Sequence, residues 1–100
     1  MFLGKPRLDT SFPVKTKYTA VVGEAVPVEV PVIANPAPLE SNIMWSGPTE
    51  SIAVKSVITN RDAEYKYYIR GFISTDNKQP VGNYTMMYNG EEIITITIHA

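Results

Sequence analysis

The chain has no cysteine and a single histidine in 100 residues. Without cysteine there are no disulfides, thiolate metal sites or cysteine nucleophiles, and the redox compartment stays open, because a protein without thiols is at home in either. His99 sits at the C-terminus, where it reads as an exposed, frayed residue around which no nucleophile–base pair can be built. No apolar run approaches the ~20 residues of a membrane span, so no insertion into a membrane is expected of this segment. Met1-Phe2-Leu3 is too short for a signal-peptide core. Met1 is either a true start or the result of excising a domain from a longer chain, and the second reading is preferred. A net charge of −1, with both signs interspersed, leaves no footprint for nucleic acid or anionic lipid. Glycine-rich phosphate loops are absent. Asp62-x-Glu64 and Asp76-Asn77 offer too few oxygens for calcium. Neither a catalytic residue, a cofactor nor a metal is expected.

What remains is rich in β-formers: valine, isoleucine and tyrosine dominate, leucine is scarce, and no stretch carries a helical period. Eight prolines and six glycines punctuate the chain at short intervals, which favours an all-β sandwich or barrel. A length of 100 residues suits one domain with its own core. The strongest local signal is Gly82–Ile98, two alternating runs joined by Asn89-Gly90. That dipeptide is suited to a type I′ turn, which needs φ > 0 at both central residues.

The remaining strands follow in order. A loose edge strand surrounds Arg7-Leu8-Asp9, and a second runs within Lys15–Val22. In residues 25–34, Val26, Val28, Val30 and Val32 share one face at period two. Pro27 and Pro31 lack ladder donors, and the N–H groups of 27, 29 and 31 point to one edge. That edge should therefore lack regular pairing, as it would if the first strand left one sheet for the other midway. Residues 35–41 form a proline-stiffened loop before a short strand, Asn42–Ser46, in which Ile43 and Trp45 share a face. One irregular strand lies in Thr49–Asn60, a turn at Asn60-Arg61-Asp62, and a long strand in Glu64–Ser74 with Tyr65, Tyr67, Ile69, Gly71 and Ile73 inward. Thr75–Pro80 is a polar loop. The carboxylates fall in turns and on outward strand positions, with Glu91-Glu92 a solvated pair that discourages edge pairing.

Gly23 with Val26, Val28 and Val30, then a proline loop and Trp45, resembles the second and third strands of the immunoglobulin superfamily, of the I-set or V-set kind. Gly82-x-Tyr84-x-Met86 is similar to that family's tyrosine corner, and the Asn89-Gly90 hairpin completes the pattern over roughly residues 16–99. The resemblance implies an immunoglobulin-like Greek-key sandwich of two antiparallel sheets with seven to nine strands, spanning residues 1–100 as one domain. The family's two disulfide cysteines correspond to Val30 and Met86 here, and its Asp four residues before the Tyr corresponds to Pro80. A missing disulfide forfeits about 4 kcal/mol in the chain-entropy model. Burial of Val30 and Met86 against Trp45 returns about 1.5–3 kcal/mol per side chain. The resemblance also implies that the Tyr84 hydroxyl bonds a backbone carbonyl a few residues upstream.

Relatives of this kind pair through the sheet holding the third and the last two strands. Met44, Met87 and Ile93 would then form an outward apolar patch rimmed by Thr85 and Thr95. Asn83-Tyr84-Thr85 fits the N-glycosylation pattern. The two-residue Asn89-Gly90 loop excludes an antibody-like variable loop at that position. The function implied is a non-enzymatic recognition or adhesion module, extracellular or on the cell surface, within a multi-domain receptor and binding itself or another immunoglobulin-like domain. The alternatives are a cytoplasmic structural domain of the muscle-scaffold type and an accessory β-sandwich of a microbial or viral surface protein or enzyme.

Overall fold

Residues 26–32 alternate valine with proline or glutamate, and every valine of that run is buried. In this computed structural model the described residues are 4–11, 13–21, 23–48, 53–61, 64–74 and 81–100. They form β1 (Gly4–Leu8), β2 (Lys17–Thr19), β3 (Val26–Asn35), β4 (Ile43–Ser46), β5 (Ala53–Asn60), β6 (Lys66–Ser74), β7 (Gly82–Tyr88) and β8 (Glu91–His99), with a 3-10 turn at Glu40–Asn42 before β4. The expected polar loop at 75–80, the early part of the strand before Ala53, and Asp62, Asp76 and Asn77 lie outside the described residues.

The strands make two four-stranded sheets, in the orders β1-β3-β6-β5 and β2-β8-β7-β4. The first segment of the chain serves both. β1 pairs antiparallel with β3 at Arg7↔Ile33 and Leu8↔Val32, and β2 pairs parallel with β8 at Lys17↔Thr97 through Thr19↔His99. Beyond Pro31, whose carbonyl still accepts from the Asp9 N–H at 3.0 Å, β3 pairs toward Val26 with β6 alone among the described strands. This is the gap that the prolines demand. Pro27 and Pro31 have no N–H to leave unpaired, and the Glu29 N–H between them donates to the Tyr18 hydroxyl at 3.2 Å. His99 is exposed, but its backbone is held: its carbonyl accepts from the Ala20 N–H at 2.7 Å.

Val28, Val30, Val32, Ile69, Ile73, Tyr84, Met86, Ile96 and Ile98 form the centre of the core. β4 is in register with β7, so Trp45 lies directly opposite Met86 and packs against this cluster. Its indole reaches the other sheet, where Nε1 donates to the Ser56 hydroxyl of β5 at 3.1 Å. Gly71 in β6 makes the room. A Cβ placed there would sit 3.0 Å from Trp45 Cζ2 and 3.2 Å from Val28 Cγ2.

Two expectations about strand ends are corrected. The long strand begins at Lys66, not Glu64, because Tyr65 takes φ +67° in the turn after β5 and does not share the inward face of Tyr67 and Ile69. The hairpin turn does carry positive φ at Asn89 (+50°) and Gly90 (+82°). Its strands, however, contain a register shift: Met86 faces Ile94 and Met87 faces Glu92, which leaves Ile93 as an extra residue in β8.

Replacing Gly71 with alanine should force Trp45 or Val28 to move. The expected loss is about 1–3 kcal/mol, the usual range for overpacking a filled core, read as a lowered urea midpoint with an unchanged denaturant slope.

Candidate functional site

The outward face of the β2-β8-β7-β4 sheet is built rung by rung from the strand register. Met44 on β4 stands opposite Met87 on β7, and Ser46 opposite Thr85. Thr85 stands opposite Thr95 on β8, and Asn83 opposite Thr97. Met44 is 62% exposed, the highest value among the large hydrophobic residues described, while Met87 and Thr85 are half-buried and Thr95 and Asn83 exposed. The polar rungs satisfy one another. The Thr85 and Thr95 hydroxyls lie 2.9 Å apart, and the Thr97 hydroxyl donates to Asn83 Oδ1 at 2.9 Å. The face therefore presents one methionine rung at the end nearer the hairpin turn and a ladder of threonines beyond it.

Ile93 is not part of the outward patch, and the expectation that placed it there is corrected. The extra residue in β8 breaks the simple alternation, and Ile93 packs partly buried against the core cluster. The apolar surface is thus a Met44–Met87 pair instead of a triad.

On the inward side, Val30 and Met86 are fully buried in one cluster and Trp45 is partly buried against it. Tyr84 is also buried, and burial raises the pKa of its phenol. Carbonyls upstream of it fall within 75–80, outside the described residues; among the described residues its hydroxyl makes no hydrogen bond. A second tyrosine does anchor a loop. The Tyr88 hydroxyl accepts from the Leu39 N–H at 3.0 Å and from Asn42 Nδ2 at 3.2 Å, which fixes the segment before β4.

No family model matches the chain, and no curated protein sequence matches it. A solved structure of titin Ig tandem domains is similar over 99% of this chain, with a TM-score of 0.55 and 17% sequence identity. The chain spans 51% of that structure's length. The fold is immunoglobulin-like.

In this immunoglobulin-like frame, one buried polar cluster went unread in the sequence. Asp9 was expected on the surface, yet its side chain is 1% exposed and pairs with Arg61, 8% exposed, at 2.8 Å. Arg61 also donates to the Val32 carbonyl at 3.0 Å, and its guanidinium lies 5.2 Å from the Tyr68 ring centroid. The Ser11 hydroxyl and backbone N–H both donate to Asp9 Oδ1. The cluster ties the end of β1 to the exit of β5, and its geometry is that of a structural pin.

A groove of about 460 Å³ opens beside the uncovered edge of β3, with Tyr18, Pro27, Pro31 and Phe72 in its walls. Its charges are largely committed: Arg70 Nε meets Glu29 at 2.8 Å, and Lys15 Nζ lies 4.6 Å from the Tyr18 ring centroid. Among the described residues no three metal-ligating side chains cluster, and no helix is long and apolar enough to cross a membrane.

Ser11 first, and then Arg61, hold the Asp9 carboxyl below its ordinary 3.8, at about 2, against the upward push of burial. A carboxyl whose folded pKa lies below its unfolded one stabilises the fold fully above the unfolded value, and the contribution fades as pH falls toward the folded one. Asp9→Asn should cost about 3–5 kcal/mol at neutral pH, because it removes one charge of a buried ion pair. The gap from the parent protein should narrow between about pH 4 and pH 2. Urea titrations at three pH values would check both statements.

Proposed function

We propose that this immunoglobulin-like domain is a non-enzymatic protein-recognition module that docks a protein partner through the outward face of the β2-β8-β7-β4 sheet. The observation that carries the reading is the Met44–Met87 rung. It joins the most exposed of the large hydrophobic residues described to a half-buried neighbour on the adjacent strand. Thr85 and Thr95 beside it already satisfy each other, so a partner can cover them without stranding a donor. Methionine suits such a contact because its thioether is polarisable and its side chain adapts to what it meets. The partner class that fits is a second immunoglobulin-like surface, of this chain or of another, in an extracellular or cell-surface receptor.

A second reading is a cytoplasmic structural module of the muscle-scaffold type, one of a serial array. It draws support from the likeness to a structure of titin Ig tandem domains, of which this chain spans 51%. Asn83 separates the two. It is exposed on the same face, its Oδ1 is held by Thr97, and Nδ2 is the atom a glycan would take.

Secreted from a eukaryotic host, the protein should carry a glycan on Asn83, lost in Asn83→Gln and seen by mass spectrometry; an unmodified secreted product would favour the array reading. Met87→Lys should leave the melting temperature within a few degrees and abolish capture by the partner surface or, for a like partner, self-association at that face. Unchanged association by analytical ultracentrifugation, or none in the parent protein, would count against self-pairing there.

A further inference from the structure

The free sheet edges of this molecule are not treated alike. β1 is short, contains Pro6 and shifts register between Gly4 and Arg7. The uncovered stretch of β3 carries Pro27 and Pro31, and its one remaining N–H is taken by Tyr18. β2 has three residues, and β4 has four and runs into Gly47-Pro48. Where β8 extends past β2, it bears Glu91, Glu92 and the irregularity at Ile93. Each of these is a known way of discouraging strand addition. Among the described residues β5 has the fewest such devices, an exposed Lys55 and a loop over its Asn60 end. It is eight residues long, without proline, glycine or register shift, and Lys55 is its single charge.

The register identifies the backbone groups on that edge. Glu29 donates to Tyr18, and the Pro31 carbonyl accepts from Asp9, so residues 27, 29 and 31 of β3 aim away from β6. Alternation then carries Tyr68, Arg70 and Phe72 of β6 toward β5, and Lys55, Val57 and Thr59 of β5 back toward β6. The N–H and C=O groups of Val54, Ser56 and Ile58 face the open side. The 3-10 turn Glu40–Asn42 lies against β5, and residues 37–41 share a cavity with Ile58 and Asn60, which covers the Asn60 end of the edge. The accessible stretch is centred on Ser56.

We propose that β5 is a self-pairing edge: two copies of the chain join antiparallel about a two-fold axis at Ser56, continuing the β1-β3-β6-β5 sheet across the dimer. Val54 pairs with Ile58 of the second copy and Ser56 with its counterpart, giving about six ladder hydrogen bonds. The occupant is a second copy because an unprotected edge is complemented by another unprotected edge, and β5 supplies one in each molecule. Charge fits the same register. Each Lys55 falls opposite Val57 of the second copy, so the two lysines never face each other. This contact is separate from the Met44–Met87 face and stands or falls without it.

Sedimentation over a wide concentration range should show a reversible monomer–dimer equilibrium. Val57→Lys changes only an outward side chain of β5, keeping the backbone pairing of Val57 with Arg70 and the Trp45–Ser56 bond, and places like charges of the two copies opposite at two symmetric points. It should weaken dimerisation by about tenfold. The Lys55→Glu/Val57→Lys pair should restore it, and Met87→Lys should not affect it. In the unmodified protein, hydrogen exchange at the amides of Val54, Ser56 and Ile58 should slow as concentration rises, while Lys55, Val57 and Thr59 stay constant. A monomer at every concentration, a dimer indifferent to Val57→Lys, or exchange at the three open-edge amides that does not respond to concentration would each overturn the proposal.

Discussion

One indole joins the two sheets by packing and by a hydrogen bond at once. Trp45 rises from β4, lies against Gly71 and Val28, and hands its only polar hydrogen to Ser56 on β5. Each element of that contact is constrained by the others. A larger residue than glycine would collide with the ring, and an apolar residue at 56 would leave a buried N–H without an acceptor. A shift of β4 along β7 would take Trp45 away from Met86. Val30 and Met86 are fully buried in the cluster against which that ring packs. A covalent link constrains two points. Here the constraint is spread over shape and one satisfied donor, so many side chains share it.

The polar interior divides the labour differently. Among the described residues, several side chains tie segments apart in the chain: Tyr18 with Glu29, Tyr88 with Leu39 and Asn42, and Asp9 with Arg61. In each tyrosine case the ring is buried while the oxygen serves backbone that strand pairing leaves out. Tyr18 closes the gap left when the first segment changes sheets, and Tyr88 secures the loop that leads into β4. The prolines of β3 and this tyrosine are two parts of one solution, since the strand gives up two donors and the third finds an oxygen.

How much of this could be read from the residues depends on how far each determinant reaches. The Asn89-Gly90 turn and the valine alternation of β3 are local and were legible, as was the missing pairing at Pro27 and Pro31, because a proline states its own lack of a donor. The inward set Ile69, Gly71 and Ile73 followed from period two. Ile93 could not be placed, since an extra residue in one strand is defined only against its neighbour. Tyr65 looked like strand because its side chain fits one, while the turn it occupies is set by where β5 ends. Asp9 and Arg61 are 52 residues apart, and nothing near either announces that they meet. On the outward face, Met44 and Met87 were legible from alternation alone, whereas the third member of the patch was lost to the same irregularity that moved Ile93.

The parallel pairing of β2 with β8 decides how the sandwich would answer a pull applied to its two ends. The segment entering β2 and the segment leaving β8 point to opposite ends of the sandwich. Tension between them pulls the two strands past each other along their length, so the rungs from Lys17–Thr97 to Thr19–His99 are strained together, in shear, instead of being peeled one at a time.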